Sequence, residues 1–161
     1  MTLLGHPLVP VADAADAAAT AAALERRLDG TRRITVLHVV EKGGGAVDKA
    51  PMARRVADAD AFLSTVERRL GDAVPVETRV EFGRNVADTI VATALDVDAT
   101  AIAFRPRGGS RLVRFLSGDT ASRLLTGLEL PVVSLPAAGG AGPAPTPDKS
   151  ADAGGDREVR G

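Results

Sequence analysis

The chain has 161 residues, 45% of them hydrophobic and 25% charged, which is the size and composition of one globular domain. Its 21 acidic and 20 basic side chains leave a net charge of -1, which argues against general attraction to nucleic acid or to an anionic membrane. Without cysteine there are no disulfides and no thiolate chemistry, and two histidines are too few for a multi-histidine metal site. No apolar run approaches the ~18 residues that span a bilayer, and the N-terminus lacks signal-peptide character, so we expect a cytoplasmic protein.

Apolar runs and helical periodicity alternate along the chain. Strands are predicted at 8–11, 34–40, 74–82, 100–104 and 131–135, from β-branched runs or from period-2 alternation. Helices are predicted at 14–28, 52–70, 85–95 and 120–128, from apolar residues at helical spacing. Asp13 and Asn85 suit the N-caps of two helices, and Gly30 and Gly71 suit two helix ends. This alternation predicts an α/β fold with a mostly parallel, five-stranded sheet and right-handed crossovers.

Residues 137–161 have a different composition from the rest of the chain. They are rich in glycine, proline and alanine, and Val159 is their only apolar side chain larger than alanine. Such a segment buries too little apolar surface to offset the entropy lost on ordering, which predicts a disordered tail. We therefore expect one folded domain over 1–136, followed by a disordered C-terminal tail over 137–161.

The segment between the fourth and fifth predicted strands combines glycine with arginine. Arg105, Arg107, Arg111 and Arg114 precede a predicted helix that starts near Asp119. In an open α/β sheet, phosphates bind where such a loop meets a helix N-terminus, and arginine suits bidentate phosphate recognition. The carboxylate of Asp119 opposes phosphate binding there. Two interpretations stay open: a solvated loop with an ion pair from Arg105 or Arg107 to Asp119, or an anion site built from arginines.

Side chains suited to catalysis are scarce. His38 lies on a predicted buried strand, where a hydrogen-bonded core residue is the usual role. Ser110, Ser117 and Ser122 have no histidine in a motif that would activate them. With no nucleophile, catalytic base or metal cluster in evidence, we expect that the protein is not an enzyme. The scarcity of aromatic residues also argues against a platform for single-stranded nucleic acid.

Six short pieces of sequence, taken in order, carry a family resemblance. They are 8–11 with the helix after it, Val36-Leu-His-Val-Val-Glu41, Gly83 with the helix after it, Asp98 before the fourth strand, the loop over 108–120, and Pro131-Val-Val-Ser-Leu135. Each piece alone is weak, but the ordered set resembles the universal stress protein family. The resemblance covers residues 1–136, which is all of the chain except the predicted tail.

Nucleotide-binding members of that family carry the motif Gly-x2-Gly-x9-Gly-Ser/Thr after the fourth strand. With Gly118 as the third glycine, Gly108 is the second, whereas Arg105 replaces the first glycine and Asp119 replaces the Ser/Thr. The family also places an aspartate directly after the first strand, where it contacts the nucleoside, and Ala12 has that place here. Glycine lets the backbone approach a phosphate and arginine does not, so these departures predict a degenerate nucleotide pocket.

The resemblance implies a site whose candidate residues follow the first, second and fourth strands. The candidates for nucleotide contact are Pro10, Val11, Asp13, Val40, Arg105, Arg107, Gly108, Gly118, Asp119 and Thr120. Asp13 lies one position after the family's nucleoside contact, and it either contacts a nucleoside hydroxyl or only caps its helix. No cofactor is certain from this pattern, and ATP or another adenine nucleotide is the ligand that the family implies.

The resemblance also implies the strand order 3-2-1-4-5 with helices on both faces of the sheet. It implies a homodimer paired through the last strand, which comprises Pro131, Val132, Val133, Ser134 and Leu135. We expect a regulatory, stress-response protein with weak or no ATP binding. The alternatives are a genuine nucleotide-binding member that holds phosphates with loop arginines, an enzyme of a related adenine-nucleotide superfamily, and a regulatory partner of a membrane transporter.

Overall fold

The computed structural model describes residues 2–42, 49–105 and 130–136. The predicted helix at 120–128 and the predicted tail at 137–161 lie outside them and stay predictions. The described strands are β1 (Pro7–Pro10), β2 (Ile34–Glu41), β3 (Val76–Gly83), β4 (Ala101–Phe104) and β5 (Val132–Ser134), and the helices are α1 (Ala14–Glu25), α2 (Lys49–Leu70) and α3 (Val86–Asp96). The strands form one parallel sheet in the order β3-β2-β1-β4-β5. The predicted fold class and strand order are therefore confirmed.

Alternate residues of the central strands pack on opposite faces of the sheet. Val9 and Val36 face α1 and α2, whereas Leu8 and Leu37 face α3. The helices complete the two cores with Ala17, Ala21, Leu24, Leu63, Val66 and Leu70 on one face and Ile90, Ala94 and Val97 on the other. Because helices cover both faces, β1 and β4 are buried along their whole length, and this explains their unbroken apolar runs.

Helix α1 ends earlier than predicted, at Glu25. Arg26 is its C-cap residue, and the amide of Arg27 donates to the carbonyl of Leu24 at 2.7 Å, which closes the last turn. Gly30, the predicted helix end, has a positive φ of 78°. It serves the turn that leads into β2, where a left-handed backbone favours glycine.

Two other element boundaries differ from the prediction by more than one residue. Strand β3 begins at Val76, because the amide of Val74 donates to the carbonyl of Leu70 at 3.0 Å and so belongs to the turn after α2. Helix α2 begins at Lys49, three residues before the predicted start at Met52. The start of β3 differs because a backbone turn, rather than an apolar pattern, sets that boundary.

The end of β3 and the start of α3 are packed tightly together. Asn85 is the N-cap, as predicted, and its Oδ1 accepts the amide of Asp88 at 3.1 Å. The hydroxyl of Thr89 donates to the Asn85 carbonyl at 2.8 Å. This hydrogen bond holds the Thr89 side chain against Gly83, where an added Cβ would overlap Thr89 Oγ1. Position 83 therefore requires glycine unless the Thr89 side chain moves.

Candidate functional site

The carboxyl ends of β1 and β4 lie side by side in the middle of the sheet. The chain leaves β1 through α1 toward β2 on one side, while β4 lies on the other side. Open α/β sheets bind ligands in a crevice at such a reversal of strand order, and this place is called the crevice below. Two of the predicted site residues, Pro10 and Val11, lie at this edge. The amide of Val11 donates to the carbonyl of Leu37 at 2.9 Å, and the Val11 side chain is buried.

Two aspartates accept backbone amides at the start of α1. Asp13 is the N-cap, as predicted, and its Oδ1 accepts the amide of Asp16 at 2.8 Å. Asp16 in turn accepts the amide of Ala12 through Oδ2 at 2.9 Å and the hydroxyl of Thr20 through Oδ1 at 3.4 Å. Asp16 is 3% exposed. This arrangement places a hydrogen-bonded, buried carboxylate beside the crevice.

Arg105 follows β4 directly, and its side chain reaches toward α1. Its Nε lies 4.0 Å from Oδ1 of Asp16, and the Arg105 side chain is 17% exposed. This Nε is buried and has no hydrogen-bond partner within the described segments. The guanidinium is therefore attracted to the Asp16 carboxylate by charge, with no hydrogen bond at Nε. Asp16 is not among the predicted site residues, although its spacing from Asp13 is that of a capping box.

His38 and Val40 lie on β2 next to this edge, His38 partly exposed and Val40 buried. The Nδ1–H of His38 donates to the carbonyl of Val11 at 2.9 Å. Its ring meets the ring of Phe62 edge-on, with centroids 5.0 Å apart and an angle of 87° between the planes. These contacts give His38 the hydrogen-bonded role expected of it. Val40 is buried, and its contact with a nucleotide stays a prediction.

Half of the predicted site residues lie outside the described part of the chain. They are Arg107, Gly108, Gly118, Asp119 and Thr120, and their roles stay predictions.

Across 2–42, 49–105 and 130–136, no group of three His, Asp or Glu side chains is placed to hold a metal ion. Among the helices of those same ranges, none is long and apolar enough to cross a membrane.

A second polar cluster lies at the opposite edge of the sheet, at the amino ends of the strands. His6 precedes β1 and is 3% exposed, and Nε of Arg33 donates to its Nδ1 at 3.1 Å. Its Nε2 lies 2.8 Å from Oγ1 of Thr35. Burial, and then the positive charge of Arg33, lower the pKa of His6 below the ordinary value of 6.5. His6 is not among the predicted site residues, because a single histidine before a strand matches no motif.

An open groove of about 620 Å³ lies between the end of β3 and α3. Its lining mixes acidic and basic side chains, among them Glu81, Arg84, Asp88 and Asp96. The carboxylate of Asp96 is already bound by Arg79, with Nη1 and Oδ2 2.9 Å apart. The groove lacks the enclosed apolar walls that are typical of a small-molecule site. The crevice at the carboxyl ends of β1 and β4 is therefore the better candidate.

Comparison with known proteins finds one matching family model and several solved structures of the same fold. The model of the universal stress protein family matches residues 6–136. A universal stress protein from Burkholderia pseudomallei is 22% identical, with a TM-score of 0.58 over 85% of this chain and 99% of that one. The Archaeoglobus fulgidus universal stress protein in complex with dAMP is 22% identical, with a TM-score of 0.51 over 82% and 98%. A universal stress protein in complex with cAMP is 17% identical, with a TM-score of 0.53 over 83% and 99%.

The comparisons differ in what they establish. No curated protein sequence matches the chain. The solved structures share its fold at identities too low to carry over their ligands. The family model, in contrast, extends from the residue before β1 to the residue that follows Leu135, and so spans the whole described sheet. On this match, the chain belongs to the universal stress protein family.

Proposed function

We propose that this protein is a homodimeric, regulatory universal stress protein whose nucleotide pocket is degenerate, with weak or no ATP binding and no catalytic activity. The observation that carries the proposal is the pairing of Arg105 with Asp16 at the crevice. Arg105 stands where nucleotide-binding relatives have the first glycine of the phosphate loop. A large side chain there takes up space that a nucleotide's phosphates need beside the backbone.

Electrostatics at the crevice also support weak nucleotide binding. The Asp16 carboxylate is buried beside the end of β1, and it faces the guanidinium that a phosphate group would need. A polyphosphate entering the crevice has to replace this carboxylate as the partner of Arg105. It also brings its own negative charge close to a buried negative charge, which is unfavourable in a medium of low dielectric constant.

One observation favours the alternative of genuine nucleotide binding. The Nε of Arg105 is buried and lacks a hydrogen-bond partner within 2–42, 49–105 and 130–136, so it has a donor to offer an anion. Two structures similar to this chain contain dAMP and cAMP. Under this alternative, Arg105 leaves Asp16 and binds the phosphates, with Arg107 as the second arginine. An enzyme of a related adenine-nucleotide superfamily would instead show steady nucleotide turnover, and no cluster among the described residues of the crevice supports it.

Calorimetric titration of the full chain with ATP and magnesium, with AMP in parallel, separates these proposals. A degenerate pocket gives no heat at micromolar ATP, and the double variant Arg105→Gly with Asp119→Ser gains binding. Genuine binding gives micromolar affinity that Arg105→Ala abolishes. The matched control is Arg84→Ala, which removes an exposed arginine from the groove near α3 and should change neither result.

Dimerisation is proposed through β5, the outermost strand of the described sheet on that side. The amide of Leu135 donates to the carbonyl of Phe104 at 2.7 Å. Because the amides of successive residues in a strand point to opposite sides, the amide of Ser134, one residue earlier, points away from β4. Ser134 is exposed, and an unpaired strand edge favours pairing with a second copy. Ser134→Pro removes this outward amide and should give a monomer in sedimentation equilibrium, whereas Ser134→Ala keeps it and should stay dimeric. Equal masses for the two variants would rule out this edge as the interface.

A further inference from the structure

The imidazole of His6 is held by hydrogen bonds at both nitrogens. Arg33 donates from Nε to Nδ1 at 3.1 Å, and Nε2 lies 2.8 Å from the hydroxyl oxygen of Thr35. Arg33 is held in turn, because its Nη2 donates to the carbonyl of Val97 at 3.4 Å. Thr35 is fully buried, so its hydroxyl depends on protein partners.

These contacts determine which nitrogen of His6 carries the proton. A guanidinium has only donors, so Nδ1 must present its lone pair to Arg33. The proton of the neutral ring is therefore on Nε2, and Nε2–H donates to the Thr35 oxygen. This arrangement exists only while the ring is neutral, since a protonated ring has no acceptor for Arg33.

The same residues tie three parts of the sheet together. The amide of His6 donates to Oγ1 of Thr100 at 2.9 Å, and the amide of Thr100 donates to the His6 carbonyl at 2.8 Å. The amide of Arg32 donates to the carbonyl of Gly5 at 2.9 Å. Residues 5 and 6 thus connect the segment before β1 with the starts of β2 and β4.

The charges around His6 oppose its protonation. Arg33 is in direct contact, and Arg32 next to it adds a second positive charge. Glu77 at the start of β3 and the backbone of Asp98 before β4 act in the opposite direction. Glu77 is already bound by Arg79 at 2.8 Å, and its side chain is 49% exposed, so it compensates weakly.

We propose that His6, Arg33 and Thr35 form an acid-sensitive latch at the amino edge of the sheet. When Nδ1 takes up a proton, it can no longer accept the Arg33 N–H, and the two cations repel each other. Arg33 then leaves the ring, and the contacts that residues 5 and 6 make with the starts of β2 and β4 weaken. The latch is independent of the proposed nucleotide pocket, which lies at the other end of the strands.

The tautomer of His6 is the first test. The chain has two histidines, so two imidazoles appear in a nitrogen-detected NMR spectrum, and either of the variants His6→Asn and His38→Asn assigns them by difference. We expect the His6 ring at pH 7.5 to be neutral with its proton on Nε2. A proton on Nδ1 at that pH, or a fully protonated ring, would overturn the latch.

Hydrogen exchange of the backbone amides tests the opening itself. After correction for intrinsic exchange, protection of the His6, Arg32 and Thr100 amides should fall as pH drops from 7.5 to 5. The fall should approach tenfold for each unit by which burial and charge lower the His6 pKa, up to about 30-fold at pH 5. Amides of Val36 and Leu37, in the middle of β2, should keep their protection.

Two variants separate the latch from general acid sensitivity. His6→Asn offers an amide oxygen to Arg33 and cannot take up a proton, so the pH-dependent loss of protection at Arg32 and Thr100 should disappear. Arg33→Gln keeps an N–H donor but removes the charge, so the NMR titration midpoint of His6 should rise. An unchanged exchange profile in His6→Asn, or an unchanged midpoint in Arg33→Gln, would refute the proposal. The second measurement stays decisive even if His6→Asn does not fold.

Discussion

Replacing Gly83 with alanine is expected to destabilise the protein through a single contact. The new Cβ overlaps Thr89 Oγ1, and rotation of the Thr89 side chain breaks its 2.8 Å hydrogen bond to the Asn85 carbonyl. Overpacking costs about 1–3 kcal/mol, and the rotation relieves only part of it, because Thr89 Cβ stays 3.2 Å from the new Cβ. The lost hydrogen bond adds about 0.5–1.5 kcal/mol. Alanine also reduces the entropy of the unfolded chain, which offsets about 0.4–1 kcal/mol. We expect the free energy of unfolding to fall by about 1–2 kcal/mol.

Urea denaturation of the wild type, Gly83→Ala, Thr89→Ala and the double variant measures this contact. Thr89→Ala removes the overlapping oxygen and leaves Cβ of residue 89 as the nearest atom, at 3.2 Å from the added Cβ. Gly83→Ala should then lose most of its effect, which gives a coupling energy of at least about 1 kcal/mol. An equal effect in both backgrounds would refute the steric reasoning, as would a stabilising Gly83→Ala in the wild-type background.

Three further results are expected from unfolding experiments. Asp13→Ala removes the capping bond to α1 and should lower the free energy of unfolding by about 1 kcal/mol, whereas Asp13→Asn keeps an acceptor and should stay close to the wild type. Leu63→Ala leaves a cavity at a buried position of α2 and should lower the free energy of unfolding by about 2–5 kcal/mol. Leu95→Ala, at a residue that is 56% exposed, should change it by less than about 0.5 kcal/mol. Similar losses in the two variants would contradict the packing of α2. The free energy of unfolding should also fall as pH drops below 6.5. The reason is that the pKa of His6 is lower in the folded chain, so the unfolded chain binds more protons. The loss should be complete below the pKa that His6 has in the folded chain. An identical pH profile for His6→Asn would contradict this assignment.

The strands and helix caps could be predicted because their causes are local in sequence. Asp13 and Asn85 bond to amides three residues away, which is a spacing that the sequence displays directly. Helix ends were harder, because a turn can stop α1 at Glu25 while the following residues still match a helical pattern. The motif order predicted the strand order correctly, although no single piece of it is specific.

The residues that meet at the crevice could not be predicted in the same way. Asp16 reads as part of a helix cap, and only the pairing of β1 with β4 brings Arg105 beside it. The sequence suggested Asp119 as the partner of Arg105 because the two share one loop. The cluster of His6 with Arg33 and Thr35 likewise depends on the register of β1 against β2, which no local pattern contains.

The strand order has a consequence for the protein during its synthesis. Strands β1, β2 and β3 are complete once Gly83 has been made, and they are neighbours in the sheet. The other side of β1 stays unpaired until Ala101–Phe104 is made, which takes about 1–4 s at 5–20 residues per second. During that interval a fully apolar, central strand has a bare edge, and such edges recruit other chains. The ribosome-bound half of this domain is therefore the form that most needs a chaperone.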